Sequence, residues 1–173
     1  GVQAVLHFLW CRQRPDTRPA DPPVPGRATL GAHYLVGQED SRAPAVARTR
    51  PMETAAAGSS FIAIVGGYVG NFVGPHDTFG NAWQPLGEPV IYEGWEGRFD
   101  LHAFLVSDGR GGRGHRVEVT KTHTPAGELT MPVVEIRDAR LADVAQVYAA
   151  RGDRLTSGIV RTTGPAVLVA FWW

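Results

Sequence analysis

The fold is decided at residues 61–67, which read FIAIVGG. A near-continuous apolar run rich in β-branched residues is typical of a strand buried on both faces, and the glycines at its end indicate a bend or a bulge. The run belongs to a longer unit, Ser59 to Arg137, in which short apolar segments alternate with glycine turns. The sequence therefore predicts several short β-strands gathered around this one.

Further strands are predicted on both sides of this run. Residues 116–122 alternate cleanly, with Val117 and Val119 expected to point inward. About ten short strands, with long crossings early and hairpins late, predict an all-β fold: an antiparallel β-sandwich, jelly-roll-like, with at most one short helix. The other predicted strands cover residues 1–10, 34–36, 61–66, 90–92, 99–106, 131–136, 158–161 and 166–173.

The glycine-rich segment Asp108–Gly112 carries a strong hairpin signal. Because it lies between two strand-like segments, it predicts a β-hairpin. Residues 131–136 are then expected to form a partner strand for residues 116–122.

One segment breaks the strand pattern. From Asp138 to Ala150 the apolar residues recur at three- and four-residue spacing, with Asp138 as a capping residue and Gly152 as a stop. This spacing predicts a short helix whose apolar face is formed by Leu141, Val144, Ala145 and Tyr148.

Length and composition favour one domain covering residues 1–173. Lys plus Arg and Asp plus Glu both number 17, so no net field favours nucleic acid or an anionic membrane. Residues 11–28 hold five prolines and are predicted to be a surface connection. The apolar start, residues 1–10, is shorter than the ~20 residues that a membrane span needs.

The sequence shows no assembled catalytic set. None of its serines lies in a Gly-x-Ser-x-Gly elbow, and the only cysteine, Cys11, excludes an internal disulfide framework and a cysteine zinc cage. These observations favour a non-catalytic protein without a cofactor.

A metal site is the alternative. Asp100 and His102 lie two residues apart on a predicted strand and would face the same side, where His115 from the next strand could join them. A carboxylate and two imidazoles suit Zn or Fe(II), so this set would make the protein a metal-dependent jelly-roll enzyme.

Aromatic and polar residues are richest together between residues 83 and 102. Flat rings with nearby carboxylates are what a sugar-binding cleft on a sandwich would use, because the rings cover apolar sugar faces and the polar groups bind hydroxyls. The alternative is that these rings belong to the core. The candidate contact residues are Trp83, Tyr92, Trp95, Asp100 and His102.

A turn is predicted at residues 77–81, which read DTFGN. The Asp77 side chain is expected to bind the backbone near Phe79 or Gly80, as in an Asx turn.

A set of turn and strand motifs begins at residue 57. In chain order they are Ala57-Gly58-Ser59, Asp77-x-x-Gly80-Asn81-x-Trp83-x-x-Leu86-Gly87, Gly112-x-Gly114-His115-x-Val117-x-Val119-Thr120, Val133-Val134-Glu135 and Thr162-Thr163-Gly164-Pro165. Together they resemble a β-sandwich module of bacterial secreted and phage-associated proteins, over about two-thirds of the chain. The resemblance implies an extracellular or virion-associated setting and brings no catalytic residues with it.

The leading functional hypothesis is a non-catalytic module that binds a glycan or another cell-surface ligand. A structural assembly subunit is a further alternative, because the chain closes on three aromatic residues, Phe171, Trp172 and Trp173. Such a group needs a partner, so we expect deep pairing of this strand, a homo-oligomer or a longer polypeptide.

Overall fold

The computed structural model describes residues 3–11, 28–38, 44–94, 97–122, 128–149, 156 and 158–172. Within these ranges every regular element is a β-strand and no helix is present, so the all-β antiparallel prediction is confirmed. The strands are β1 (Gln3–Cys11), β2 (Thr29–Gln38), β3 (Ala45–Arg48), β4 (Met52–Glu53), β5 (Ser59–Tyr68), β6 (Asn71–Asp77), β7 (Gln84–Pro85), β8 (Val90–Gly94), β9 (Gly97–Gly109), β10 (Arg113–His115), β11 (Val117–Thr122), β12 (Leu129–Arg137), β13 (Arg140–Ala149) and β14 (Ala166–Trp172).

A six-stranded central sheet organises the molecule. Its strand order is β2-β12-β5-β9-β7, and β8 also pairs with β9. Two smaller sheets accompany it: a small sheet of order β3-β11-β6 and a cover sheet of order β13-β1-β14. Strands β4 and β10 form a separate two-stranded sheet. In the chain, β4 directly follows β3 and β10 directly precedes β11.

Strand β5 is buried along its whole length because both of its faces meet another layer. Ala63 and Val65 belong to a core cluster shared with Val117 and Val119 of the small sheet. Ile62 and Ile64 belong to a second cluster, against which the partly buried apolar residues of the cover sheet pack: Leu141, Val144, Val167, Val169 and Phe171. The predicted two-sided burial of this strand is thus confirmed.

The predicted hairpin at Asp108–Gly112 is wrong. The chain leaves the central sheet at the end of β9 and enters β10, which pairs with β4 and not with β9. Backbone and side-chain hydrogen bonds hold this crossing: Gly111 donates to the Ala56 carbonyl at 3.1 Å, and Gly112 donates to Thr54 Oγ1 at 2.9 Å. The segment is a connection between two layers, and β12 correspondingly pairs with β2 and β5 and not with β11.

The predicted helix after Asp138 is also wrong, because residues 140–149 form strand β13. Its pairing with β1 shifts at one point: Leu9 faces Asp143 while Trp10 faces Leu141, so Ala142 is an extra residue. Such a bulge breaks the two-residue alternation and places Leu141 and Val144, three apart, against the same core cluster. The strand therefore imitates helical spacing.

The inward orientation of Val117 and Val119 is confirmed, and the segment at 158–161 is not a strand. Residues 12–27, most of the predicted proline-rich connection, lie outside the described residues. No helix in the part of the chain that the structure describes is long and apolar enough to cross a membrane.

Candidate functional site

The turn after β6 is held by one carboxylate. Asp77 Oδ1 accepts the Phe79 amide at 2.9 Å and the Asn81 amide at 3.2 Å, so the predicted Asx turn is confirmed. Its Oδ2 accepts the Trp83 indole N–H at 2.8 Å. Gly80 takes a positive φ of 66° within this turn, which a glycine adopts without strain.

The same turn is joined to the crossing between β9 and β10. Asn81 Nδ2 donates to the Arg110 carbonyl at 2.7 Å, and the Arg110 amide returns a bond to Asn81 Oδ1 at 2.8 Å. The turn and the crossing therefore form one rigid corner at the end of the small sheet.

His115 and Asp77 are the buried polar pair beneath this corner. The His115 ring is fully buried, touches the rings of Phe61 and Phe79 edge-on, and meets Thr54 Oγ1 through Nδ1 at 2.9 Å. Its Nε2 lies 3.7 Å from Asp77 Oδ2, which is longer than a hydrogen bond. Burial alone raises the pKa of Asp77, but His115, Asn81 and Trp83 outweigh it and hold that pKa far below its usual value.

The outer face of the small sheet carries an ordered row of charged side chains. Glu118 on β11 faces Arg48 on one side and His76 on the other, and Arg48 Nε donates to Glu118 Oε2. In the next row Thr120 lies between Val46 and Val73, which are 40% and 57% exposed. Polar and apolar contact groups thus stand side by side on the same face of the sheet.

A cleft of about 340 Å³ opens at the charged end of this face. Its arginine side chains, Arg48 and Arg116, are exposed, as is His76. Two hydrogen bonds fix its far wall: the Thr78 amide donates to the Arg116 carbonyl at 3.1 Å, and the Arg116 amide donates to the Thr78 hydroxyl at 3.2 Å. The lining residues are Arg48, His76, Asp77, Thr78, Arg116 and Glu118.

This arrangement can recognise a ligand that is both hydroxylated and anionic. Arg48 is engaged by Glu118, whereas Arg116 has no acidic partner among the described residues. A guanidinium can bind a carboxylate through two parallel hydrogen bonds, and Glu118 and Thr78 can bind hydroxyls.

The structure does not gather the predicted ligand-binding residues into one surface. Tyr92 packs on the core cluster beneath the cover sheet, whereas Asp100 and His102 lie on the opposite face of the central sheet, near each other. Trp83 packs against the core of the small sheet, and its indole N–H donates to Asp77 Oδ2. Trp95 lies outside the described residues.

The alternative metal set is separated as well. His102 Nε2 lies 3.4 Å from Asp100 Oδ2. His115 instead lies at the far end of the small sheet, beside Asp77. Within the described ranges no group of three His, Cys, Asp or Glu residues could hold a metal ion. The reason is the crossing after β9, which carries His115 into another layer instead of back along β9.

The residues that line the cleft were not among the predicted contacts. Arg48, His76 and Glu118 come from three strands, and only the strand pairing aligns them.

The sequence did contain a signal that Lys121 is unusual. Lys121 continues the inward-pointing series of Val117 and Val119 on β11, and it is fully buried. Buried lysines are rare enough to mark a position of interest.

No family model, curated protein or solved structure matches this chain.

Proposed function

We propose that the protein is a non-catalytic binding module for acidic glycans, and that the cleft on the outer face of the small sheet is its binding site. The observation that carries the proposal is the exposed Arg116 guanidinium in a cleft that it shares with His76 and whose far wall is fixed by hydrogen bonds. An uronic-acid type of sugar presents a carboxylate for Arg116 and hydroxyls for Glu118 and Thr78.

The apolar row next to the cleft supports the same ligand class. Val46 and Val73 flank Thr120 and would cover the apolar face of a neighbouring sugar ring. The resemblance of the turn and strand motifs to secreted and phage-associated modules favours an extracellular or virion-associated setting, in which glycans are the abundant ligands.

A glycan array tests the proposal. We expect binding to uronate-containing glycans and weaker binding to their carboxyl-reduced counterparts. Arg116→Ala should weaken binding at least about tenfold, because it removes a charge-assisted contact. The matched control is Arg140→Ala, since Arg140 is also exposed and, among the described residues, its side chain forms an ion pair with the exposed Asp108.

Two results would count against this site. Absence of binding to every glycan removes the function, and undiminished binding by Arg116→Ala removes the cleft. Loss of binding in Trp95→Ala with retention in Arg116→Ala would move the site to the segment between residues 83 and 102.

A structural assembly subunit is the second candidate, and strand β14 favours it. This strand pairs with β1, and no described strand pairs with its other edge. It contains no charged residue, and Leu168 is 55% exposed. An uncharged apolar edge can accept a strand from another chain.

A further inference from the structure

The amine of Lys121 is enclosed between two layers of the molecule. Lys121 extends from β11 of the small sheet toward β9 of the central sheet, and its side chain has no exposed surface. Its Nζ donates to Asp100 Oδ1 and to the Tyr68 carbonyl, the latter at 2.8 Å. The Asp100 side chain is only 5% exposed, so water has almost no access to either group.

An ion pair fits this enclosure poorly. Taking an ammonium and a carboxylate out of water is expensive unless every proton and lone pair finds a partner. An ammonium has three N–H donors, and the described residues supply two acceptors, the Tyr68 carbonyl and Asp100. Burial lowers the pKa of Lys121, although the hydrogen bond and charge of Asp100 oppose that effect.

The surroundings fit an amide better. An amide between the two side chains would keep one N–H, which can still donate to the Tyr68 carbonyl, and one uncharged C=O, so no N–H would be left without an acceptor. His102 Nε2 lies 3.4 Å from Asp100 Oδ2, and its side chain is 21% exposed.

We propose that Lys121 and Asp100 join spontaneously in an intramolecular amide bond that links the small sheet to the central sheet. In the ion pair, one ammonium proton passes to the carboxylate, which leaves a neutral amine and a carboxylic acid. The lone pair of Nζ then attacks Asp100 Cγ and forms the C–N bond. One C–O bond of the carboxyl group breaks, the oxygen leaves with a second proton from nitrogen, and one water molecule is released. Nothing is oxidised or reduced.

His102 is the proton carrier in this step. It stands at the carboxyl oxygen that must be protonated, and it reaches solvent while the other two groups do not. Positioned acids of this kind accelerate the departure of a poor leaving group. The reaction needs no cofactor, because burial itself favours the nucleophilic, neutral amine.

Intact-protein mass spectrometry of the purified chain tests the proposal directly. We expect a mass below that of the sequence by one water molecule, retained after denaturation. Trypsin does not cleave after an acylated lysine, so the digest should contain peptide 99–110 joined to peptide 117–137 with Lys121 uncleaved. A wild-type protein at the full sequence mass, with cleavage after Lys121, overturns the proposal.

Variants separate the bond from its catalyst. Lys121→Arg and Asp100→Ala should each show the full sequence mass, and any loss of water that persists in them overturns the assignment to this pair. His102→Ala should form the bond at least about tenfold more slowly after synthesis, in line with the usual contribution of a general acid. An unchanged time course in that variant overturns the role of His102.

Discussion

At the scale of single residues, Glu135 shows how a buried charge can hold a fold together. Its carboxylate is almost inaccessible, yet it accepts the Ala32 and Ala55 amides, both at 2.8 Å, and the Ser59 hydroxyl at 2.7 Å. Burial raises the pKa of Glu135, but these bonds outweigh burial and bring the pKa below its ordinary value. One side chain of β12 thus fixes β2, β5 and the loop before β5.

Replacement of Glu135 should be costly. In Glu135→Gln the amide nitrogen would face backbone donors, so we expect the free energy of unfolding to fall by about 3 kcal/mol. Urea denaturation measures this. The matched control, Glu118→Gln, changes a partly exposed residue paired with an exposed arginine and should cost under about 1 kcal/mol. Equal losses in both variants would show that the buried bonds contribute nothing particular.

Hydrogen bonds between residues close in the chain could be predicted from the sequence, whereas bonds between distant segments could not. The Asx turn at Asp77 was predictable because the carboxylate and the amides it accepts lie within four residues. The bonds of Glu135 were not, because its partners come from segments far along the chain. The cleft escaped prediction for the same reason, since only strand register aligns Arg48, Glu118 and His76.

At the scale of elements, burial is easier to predict than pairing. The apolar run in β5 announced a strand covered on both faces, and the structure has it. The glycines of Asp108–Gly112 predicted a change of chain direction. The same glycine pattern occurs whether the next strand returns to the same sheet or crosses to another sheet, so it could not predict the pairing. In β13 a single bulge was enough to give a strand the spacing of a helix.

The edge of β14 that does not pair with β1 can be tested as an assembly surface. If its open edge is an assembly surface, light scattering should give an oligomer for the wild type and a monomer for Leu168→Lys, because a lysine on an edge strand opposes the addition of another strand. Ile159→Lys is the control, since Ile159 is 85% exposed and lies outside any strand. A monomeric wild type would exclude this role.

At the scale of the whole molecule, two depressed carboxyl pKa values set the response to acid. Asp77 and Glu135 bind protons less readily in the folded than in the unfolded state, where their pKa values are about 4. Their contribution to stability is therefore complete above about pH 5 and is lost as the pH falls through their folded pKa values.

Thermal unfolding between pH 6 and pH 2 measures this response. We expect the wild-type midpoint temperature to decline steadily below about pH 5. The decline should be shallower in Asp77→Asn and in Glu135→Gln, which no longer titrate at these positions. A wild-type midpoint that is constant over this range would contradict the link between these carboxylates and stability.

The strand order of the central sheet has a consequence for biosynthesis. Strand β5 pairs with β9 and β12, both of which follow it in the chain, and β2 pairs with β12. On the ribosome, the strand that is buried along its whole length therefore emerges well before either neighbour exists, and β2 waits longer still for β12. Until residue 137 has left the exit tunnel, β2 and one edge of β5 lack their partner strand β12. The nascent chain therefore exposes apolar, unpaired strand segments of the kind that chaperones bind.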